Sequence, residues 1–457
     1  METDKDPIIA RASAAGRGGI GIIRISGSEE NLQQLLKALF KDRRIEPRHA
    51  HLLPVRDAQD NIIDQTIVLY FPGPASYTGE TVLEIQAHGG PAVMQMIISR
   101  CMELGASMRL RQAQPGEFSR RAFLNGRLDL AQAEAVADLI EASSQAAARA
   151  AARSMQGEFS REVLRINGDL LELRAYIEAT IDFPEEEVDF IEDGHVNERV
   201  EFIAGELEAL SKNALRGKVL RDGLTVVLVG APNVGKSSLM NALAREEVAI
   251  VTDIAGTTRD KIDHAVNLDG LTVNLIDTAG VRRTDDKVER IGIERTLQAV
   301  ESADVVVHLT SADRSDQDNL EETMRFIGPR LRDGVVFLQV KNKMDLSTGT
   351  EEIPEDCILI SAKTGQGLED LVGRLKDIAG ACDGAQGDFL ARTRHLDCIA
   401  RALDHVNVIR GGVGSRVGLD IAAEELRLAG LALGEIVGQT VADDLLGMIF
   451  SKFCIGK

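Results

Sequence analysis

No apolar run in this 457-residue chain approaches 18 residues, so no membrane-spanning helix is expected. The opening "METDKDPIIA" lacks the pattern of a secretory signal and the arginines of a transit peptide. Cysteine is scarce. Its five positions are far apart, odd in number and free of CxxC pairs, which removes a disulfide framework and a paired-cysteine zinc site and fits a reducing cytoplasm. Positive charge is short too: 52 Lys and Arg against 72 Asp and Glu leave -20, which repels a phosphate backbone. A nucleic-acid partner would need a local patch or a second protein to attract it. What is present, 44% hydrophobic and 27% charged residues, describes a globular chain, and its length suits about three domains of roughly 150 residues.

The last residues, "SKFCIGK", place Cys454 at the spacing of a prenylation box, but Lys457 in the final position and the lack of a polybasic tract argue against an anchor. Two readings remain: a buried structural cysteine, or a thiol delivered to a reaction site.

One stretch carries most of the chemistry. A β-branched run from Leu224 to Val229 leads into a loop from Gly230 to Ser237 that fits G-x-x-x-x-G-K-[ST], and a helical pattern follows. That order is the context of a P-loop: backbone N–H groups cradle phosphates, Lys236 reaches the outer ones, and the Ser237 hydroxyl joins magnesium. Downstream, "VNLIDTAG" ends a strand on Asp277, placed to hold the metal through water, with the Gly280 N–H near the γ-phosphate. Asp269-Gly270 between two apolar runs reads as a hairpin turn. In "VKNKMDL", Asn342, Lys343 and Asp345 follow another strand, and a carboxylate there can accept both N–H donors of guanine. Ser361-Ala362-Lys363 supplies a further turn at the base.

Together these motifs resemble the translation-factor-related GTPases. The resemblance implies GTP or GDP contacts from Asn233, Val234, Gly235, Lys236, Ser237 and Ser238. It adds the switch run Thr252, Asp253, Ile254, Ala255, Gly256, Thr257 and Thr258, then Asp277, Thr278, Ala279 and Gly280, and the three base-binding motifs above. Val281 follows "DTAG", and an apolar side chain cannot position the attacking water. Asn233 in the P-loop and "VTDIAGTTRD" resemble potassium-activated GTPases, which implies Asn233, Thr252, Ile254 and Thr257 around K+ and Thr258 beside Ser237 on Mg2+. Thr252 and Thr258 as ordinary cap or turn residues is the plainer alternative.

The flanks differ in kind. Residues 1–120 alternate short β-type runs with Gly/Pro turns and one clear helix, an α+β domain. Residues 121–220 and 380–457 are rich in Ala, Leu, Glu and Arg at three- and four-residue spacing, hence long helices, and 221–379 forms an inserted α/β GTPase domain. One interrupted all-α domain is the economical arrangement; two independent helical domains are the alternative. The basic-spaced segment "RLRQAQPGEFSRRAFLNGRLDL" reads either as an anion site or as an edge salt-bridged to its neighbours.

With "PGEFSRRAFLNGRLDLAQAEAVADLI", "DDKVERIGIERT" and "DDLLGMIFSKFCIGK", the whole chain resembles the MnmE (TrmE) family of bacterial tRNA-modification GTPases. The resemblance implies a folate-binding, dimerising N-terminal domain with formyl-tetrahydrofolate contacts from Arg24, Glu84, Arg127 and Lys457. Arg127 departs from the lysine often found there, which alters donor geometry. It places Cys454 near the one-carbon site. It lets Glu289 order the water, against the alternative of an exposed carboxylate at a helix start. It implies a homodimer in a heterotetramer with a flavin (FAD)-dependent MnmG (GidA) type partner, which would supply most of the surface for the tRNA anticodon region. The competing reading is a ribosome-assembly GTPase, supported only by the GxxG-like Gly411 to Gly414; a non-hydrolysing binding module sits poorly with Lys236, Ser237 and Asp277.

Overall fold

The computed structural model describes residues 5–41, 43–182, 194–246, 264–268, 271–277, 287–312, 320–332, 335–346, 356–379, 389–413, 417–440 and 443–456. The chain begins β1 (Ile8–Arg11), β2 (Gly21–Gly27), α1 (Glu29–Phe40), β3 (His51–Arg56), β4 (Ile62–Phe71), β5 (Thr81–Ala87), α2 (Pro91–Leu104), β6 (Arg111–Gln112) and α3 (Glu117–Leu124). Four helices follow: α4 (Leu130–Glu141), α5 (Gln145–Met155), α6 (Glu158–Asp182) and α7 (Val196–Asp222). Next come β7 (Leu224–Val229), α8 (Lys236–Glu246), β8 (His264–Leu268), β9 (Leu271–Asp277), α9 (Lys287–Ser302), β10 (Val305–Ser311), α10 (Leu320–Ile327), β11 (Val336–Asn342), β12 (Cys357–Leu359) and α11 (Leu368–Ala379). The chain closes with α12 (Thr393–Ile409), α13 (Leu419–Val437) and α14 (Asp443–Ser451). Among the described residues no helix is long and apolar enough to cross a membrane.

Two compact units emerge. One comprises Met1–Ala137, Ser154–Ile203 and Arg401–Lys457; the other comprises Asp138–Arg153 and Ala204–Ala400.

In the first unit a six-stranded sheet runs β3-β4-β5-β2-β1-β6, antiparallel except for β1 with β6. Strand alternation decides its faces. Ile23, Ile25, Leu83 and Ile85 are buried in one core with Leu32 and Leu35 of α1 and Met94 and Ile97 of α2, each such side chain contributing about 1.5–3 kcal/mol. The residues between them, Arg24 and Glu84, are only half-buried. Helix α1 starts where the Ser28 side chain accepts the Asn31 N–H, with Glu29 and Glu30 in its positive first turn. The helices of this unit include α6 packed along α13. A small core of Leu130, Ala133, Ile449, Phe450 and Phe453 joins α4 to α14. Beyond α14 the chain lies against the N-terminal domain: Ile455 bridges Pro115, and Gly456 sits close on the Arg11 carbonyl.

In the second unit the sheet order is β12-β11-β10-β7-β9-β8, parallel except for the β8–β9 hairpin, whose register pairs Leu268 with Leu271 as the sequence predicts. Near-continuous apolar strands fit a sheet covered on both faces: Leu224, Val226 and Leu228 enter one core cluster, Val227 and Val229 the other. Asp138 accepts from Arg221 Nε at 2.8 Å and from an Arg392 terminal nitrogen at 2.6 Å. Asn274 Nδ2 donates to the Asp222 carbonyl at 2.8 Å, so strand β9 is fastened at its middle to the end of α7. The Gly411 to Gly414 loop runs into residues 414–416, outside the described set, and α12 and α13 flank it.

Candidate functional site

The loop after β7 closes tightly against its neighbours. At Gly230 (φ +150°) a Cβ would stand 2.2 Å from the Leu309 carbonyl, and at Gly235 (φ +99°) it would stand 2.3 Å from Asn342 Nδ2, so both positions require glycine. Val234 is buried, Asn233 is exposed at φ +67°, and Ser237 and Ser238 are exposed in the first turn of α8. The Lys236 ammonium folds back over the loop, donating to the Gly230 carbonyl at 2.9 Å and the Ala231 carbonyl at 3.0 Å. Ser237 Oγ donates to Asp277 Oδ2 at 3.0 Å, while Asp277 Oδ1 is buried with no hydrogen-bond partner among the described residues. A hydroxyl and an unsatisfied carboxylate oxygen, both hard oxygen donors, fit Mg2+.

The base end lies on the same sheet edge. Asn342, buried at the end of β11, donates from Nδ2 to the Val234 carbonyl at 2.9 Å and accepts the Ala362 N–H on Oδ1 at 3.0 Å. It therefore ties the phosphate loop to the Ser361-Ala362-Lys363 turn, a structural duty its motif alone does not disclose. Lys343 takes φ +63° and half-buried, and Lys363 is exposed. Ser361, fully buried, donates from Oγ to Asp345 Oδ1 at 2.7 Å, which aims an otherwise exposed carboxylate.

Several expected site residues lie outside the described residues: Thr252, Asp253, Ile254, Ala255, Gly256, Thr257, Thr258, Thr278, Ala279, Gly280, Val281 and Lys457. Glu289 falls on α9, with its side chain outside the description.

A second grouping occupies the N-terminal domain. Arg24 and Glu84 are register partners on β2 and β5, and Arg24 Nε donates to Glu84 Oε1 at 2.9 Å. The guanidinium also stands 5.1 Å from the Tyr77 ring centre and 5.9 Å from that of Phe118. Neither aromatic is identified from sequence, though "GPASYTGE" and "PGEFSRR" contain them. The segment 116–127 meets Arg24, Tyr77, Cys454 and the turn at Gly79. The Gly116 N–H donates to the Cys454 carbonyl at 3.3 Å, Phe118 faces Arg24, and the exposed Arg127 runs beside the turn at Gly79. Cys454 is exposed, so the buried structural reading does not describe it. By contrast, burial pushes the Cys101 thiol up to about 12 and leaves it inert.

The basic segment around α3 divides the same way. Arg121 is buried, donating to Glu80 Oε2 at 2.9 Å, Glu117 Oε1 at 3.0 Å and the Asp6 carbonyl at 2.7 Å; Arg111 donates to both Glu117 oxygens at 2.6 and 2.8 Å. These two cations are salt-bridged to neighbours. Burial would raise the Glu117 carboxyl, but Arg111, the Gln114 N–H and Arg121 outweigh it and hold it below its ordinary value. A carboxyl lowered on folding stabilises above its unfolded pKa, and that stability is lost as pH falls through the folded value. Arg111→Gln should therefore cost about 1.5–3 kcal/mol at pH 7, with the gap to wild type narrowing in acid. Melting curves of both proteins at pH 7 and in acid check this; a gap independent of pH contradicts it.

The parallel sheet, the cradling loop with its lysine, the Ser237–Asp277 contact and the base-side carboxylate define a P-loop GTPase. Residues 7–127 match the family described as GTP-binding protein TrmE N-terminus, and residues 130–454 match the MnmE helical domain. The chain is 51% identical to the tRNA modification GTPase MnmE of Bordetella avium (strain 197N) over 453 residues, 99% of each chain. It is 50% identical to the protein of that name from Pseudomonas aeruginosa (strain UCBPP-PA14), over 100% of both. Among solved structures, the FeoB G-domain from Methanococcus jannaschii aligns at 25% identity over 34% of this chain and 97% of its own, with a TM-score of 0.27. The chain belongs to the MnmE family.

Proposed function

We propose that this protein hydrolyses GTP to drive tRNA modification. As a homodimer with a flavin-dependent MnmG-type partner, it helps build an aminomethyl or carboxymethylaminomethyl group on the wobble uridine of certain tRNAs. The observation that carries the GTPase half is the Ser237–Asp277 contact with its unsatisfied Oδ1, beside a lysine already aimed across the loop. With GTP bound, Lys236 exchanges two loop carbonyls for phosphate oxygens, a charge-assisted contact stronger than the one it leaves. Ser237 and Thr258 would hold Mg2+ with Asp277 behind them, and the ion supplies neutralisation of phosphate charge. Asp345, aimed by Ser361, receives the guanine edge. Asn233, Thr252, Ile254 and Thr257 would surround K+, and Glu289 would order the water.

The one-carbon half rests on Arg24, Glu84, Arg127, Lys457 and Cys454. An arginine–carboxylate pair beside the half-buried Tyr77 ring offers donors, acceptors and flat apolar surface together, the set a pterin of formyl-tetrahydrofolate requires, while the fully buried Phe118 ring packs near the guanidinium. The exposed Cys454 hangs from the same segment through Gly116.

Nucleoside mass spectrometry of tRNA tests the whole. Cells lacking this protein, or carrying only Lys236→Ala or Cys454→Ser, should lose the wobble-uridine modification. Normal modification in the deletion discards the reading.

A further inference from the structure

Residues 210–221 of α7 read "LSKNALRGKVLR", with Lys212, Arg216, Lys218 and Arg221 and no carboxylate before Asp222 closes the helix, in a chain of net charge -20. Arg221 is taken by Asp138 and Asp222. Lys212 and Arg216 make no hydrogen bond or ion pair among the described residues. Both stand on a cleft of about 510 Å³ that Lys218 and Arg332 also line, inside the range of small-ligand pockets. Its apolar wall is Leu215, Val219, Val335 and Ile378, and Leu215 is 53% exposed between the two unpaired cations in sequence.

Two carboxylates share the cleft. Asp304 accepts the Thr225 N–H at 2.9 Å, and Asp377 is exposed at the lip. The cleft lies where β7, β10 and β11 begin, at Leu224, Ala303–Asp304 and Val335–Val336, so it is at the opposite edge of the sheet from the P-loop. It is not the GTP site.

We propose that this cleft binds one nucleotide unit, its phosphate on Lys212 and Arg216 and its base over Leu215 and Val219. Two unpaired cations beside an apolar wall match an anion joined to a flat, weakly polar ring, and guanidinium planes accept bases by stacking. The unit is free nucleotide or a residue of an RNA strand. The strand form rests on the tRNA reading above, whereas the nucleotide chemistry does not. A local cationic patch is also what an acidic protein needs to hold RNA at all.

The test uses the full-length protein saturated with GDP, so the P-loop is filled. A fluorescein-labelled ten-residue uridine RNA is titrated by anisotropy, and UMP by calorimetry. Lys212→Glu with Arg216→Glu should weaken the RNA about 10-fold or more and flatten the slope of log affinity against log salt by about 0.7, the value for one neutralised phosphate of a single strand. Lys212→Arg with Arg216→Lys keeps the charges and should keep the binding. UMP bound with the same dependence on these residues, without RNA binding, assigns the free nucleotide as the source. Binding of both probes unaltered by charge reversal, or binding of neither, overturns the proposal. Melting curves report whether each variant folds. Because binding is read in vitro, normal wobble modification in the deletion would sink the tRNA reading and leave this result standing.

Discussion

Replacing potassium by sodium is expected to slow GTP hydrolysis by this protein about 100-fold, the effect of removing one transition-state donor from a preorganised site. The motive is a missing part. The Val281 side chain, next after "DTAG", offers no polar atom to the water or to developing charge, and on the proposed reading Lys236 is taken by the phosphates. A monovalent cation against the leaving oxygen would supply the charge that a donated arginine supplies elsewhere. Asn233 is suited to hold it: φ +67° puts it in a conformation asparagine tolerates better than most side chains, exposed on the loop that faces the phosphates. Sodium fills the same charge with a shorter contact distance, so a cage of fixed oxygens loses contacts to it. Steady-state rates in the two chloride salts at matched ionic strength give the comparison, and Asn233→Ala should bring the potassium rate down to the sodium rate. The proposed dimer would add a second signature, with specific activity in potassium rising as protein concentration carries the chain from monomer to dimer. Equal rates in both salts would remove the cation from the account.

How much of this could be read from the chain depends on whether a feature is local. The P-loop is legible because its conformation is written in consecutive residues: Gly230 and Gly235 where no Cβ fits, Lys236 and Ser237 where the helix begins. The β8–β9 hairpin is legible for the same reason. Asn342 is half-legible: its motif announces a nucleotide role, but its bonds to Val234 and Ala362 require three distant segments to meet at one sheet edge. Arg24 and Glu84 are 60 residues apart on strands that pair out of sequence order, so only resemblance to a family could join them beforehand. Tyr77, between β4 and β5, and Phe118, on α3, reach Arg24 from two further segments, so their approach is not local in sequence either. The basic segment around α3 admits two readings because one carboxylate on Arg121, Glu117, lies within it, while the other, Glu80, lies 41 residues away. The cationic stretch of α7 is hard to read from the chain for a different reason: a net charge of -20 describes the whole chain and hides a short stretch of the opposite sign.

Asp345→Asn should move the base preference from guanine to xanthine, lowering GDP affinity about 100-fold or more while XDP affinity rises. A site built around a substrate's hydrogen-bond donors rejects, by large factors, any pairing that leaves a polar group unmatched. The direction follows from Ser361. Its buried hydroxyl donates to Asp345 Oδ1 at 2.7 Å, so in the variant the same hydroxyl holds the amide oxygen and leaves the amide nitrogen turned to the base. A donor now meets guanine's two N–H donors, which repel it, and meets xanthine's exocyclic oxygen, which accepts it. Ser361→Ala supplies the complementary case: the carboxylate keeps its charge but loses its aim, so guanine selectivity should weaken by about 1 kcal/mol or somewhat more without reversing. Calorimetric affinities for GDP and XDP across the three proteins separate these outcomes. A preference for GDP retained by Asp345→Asn would mean the carboxylate does not face the base, and the assignment of this edge of the sheet to guanine would fall with it.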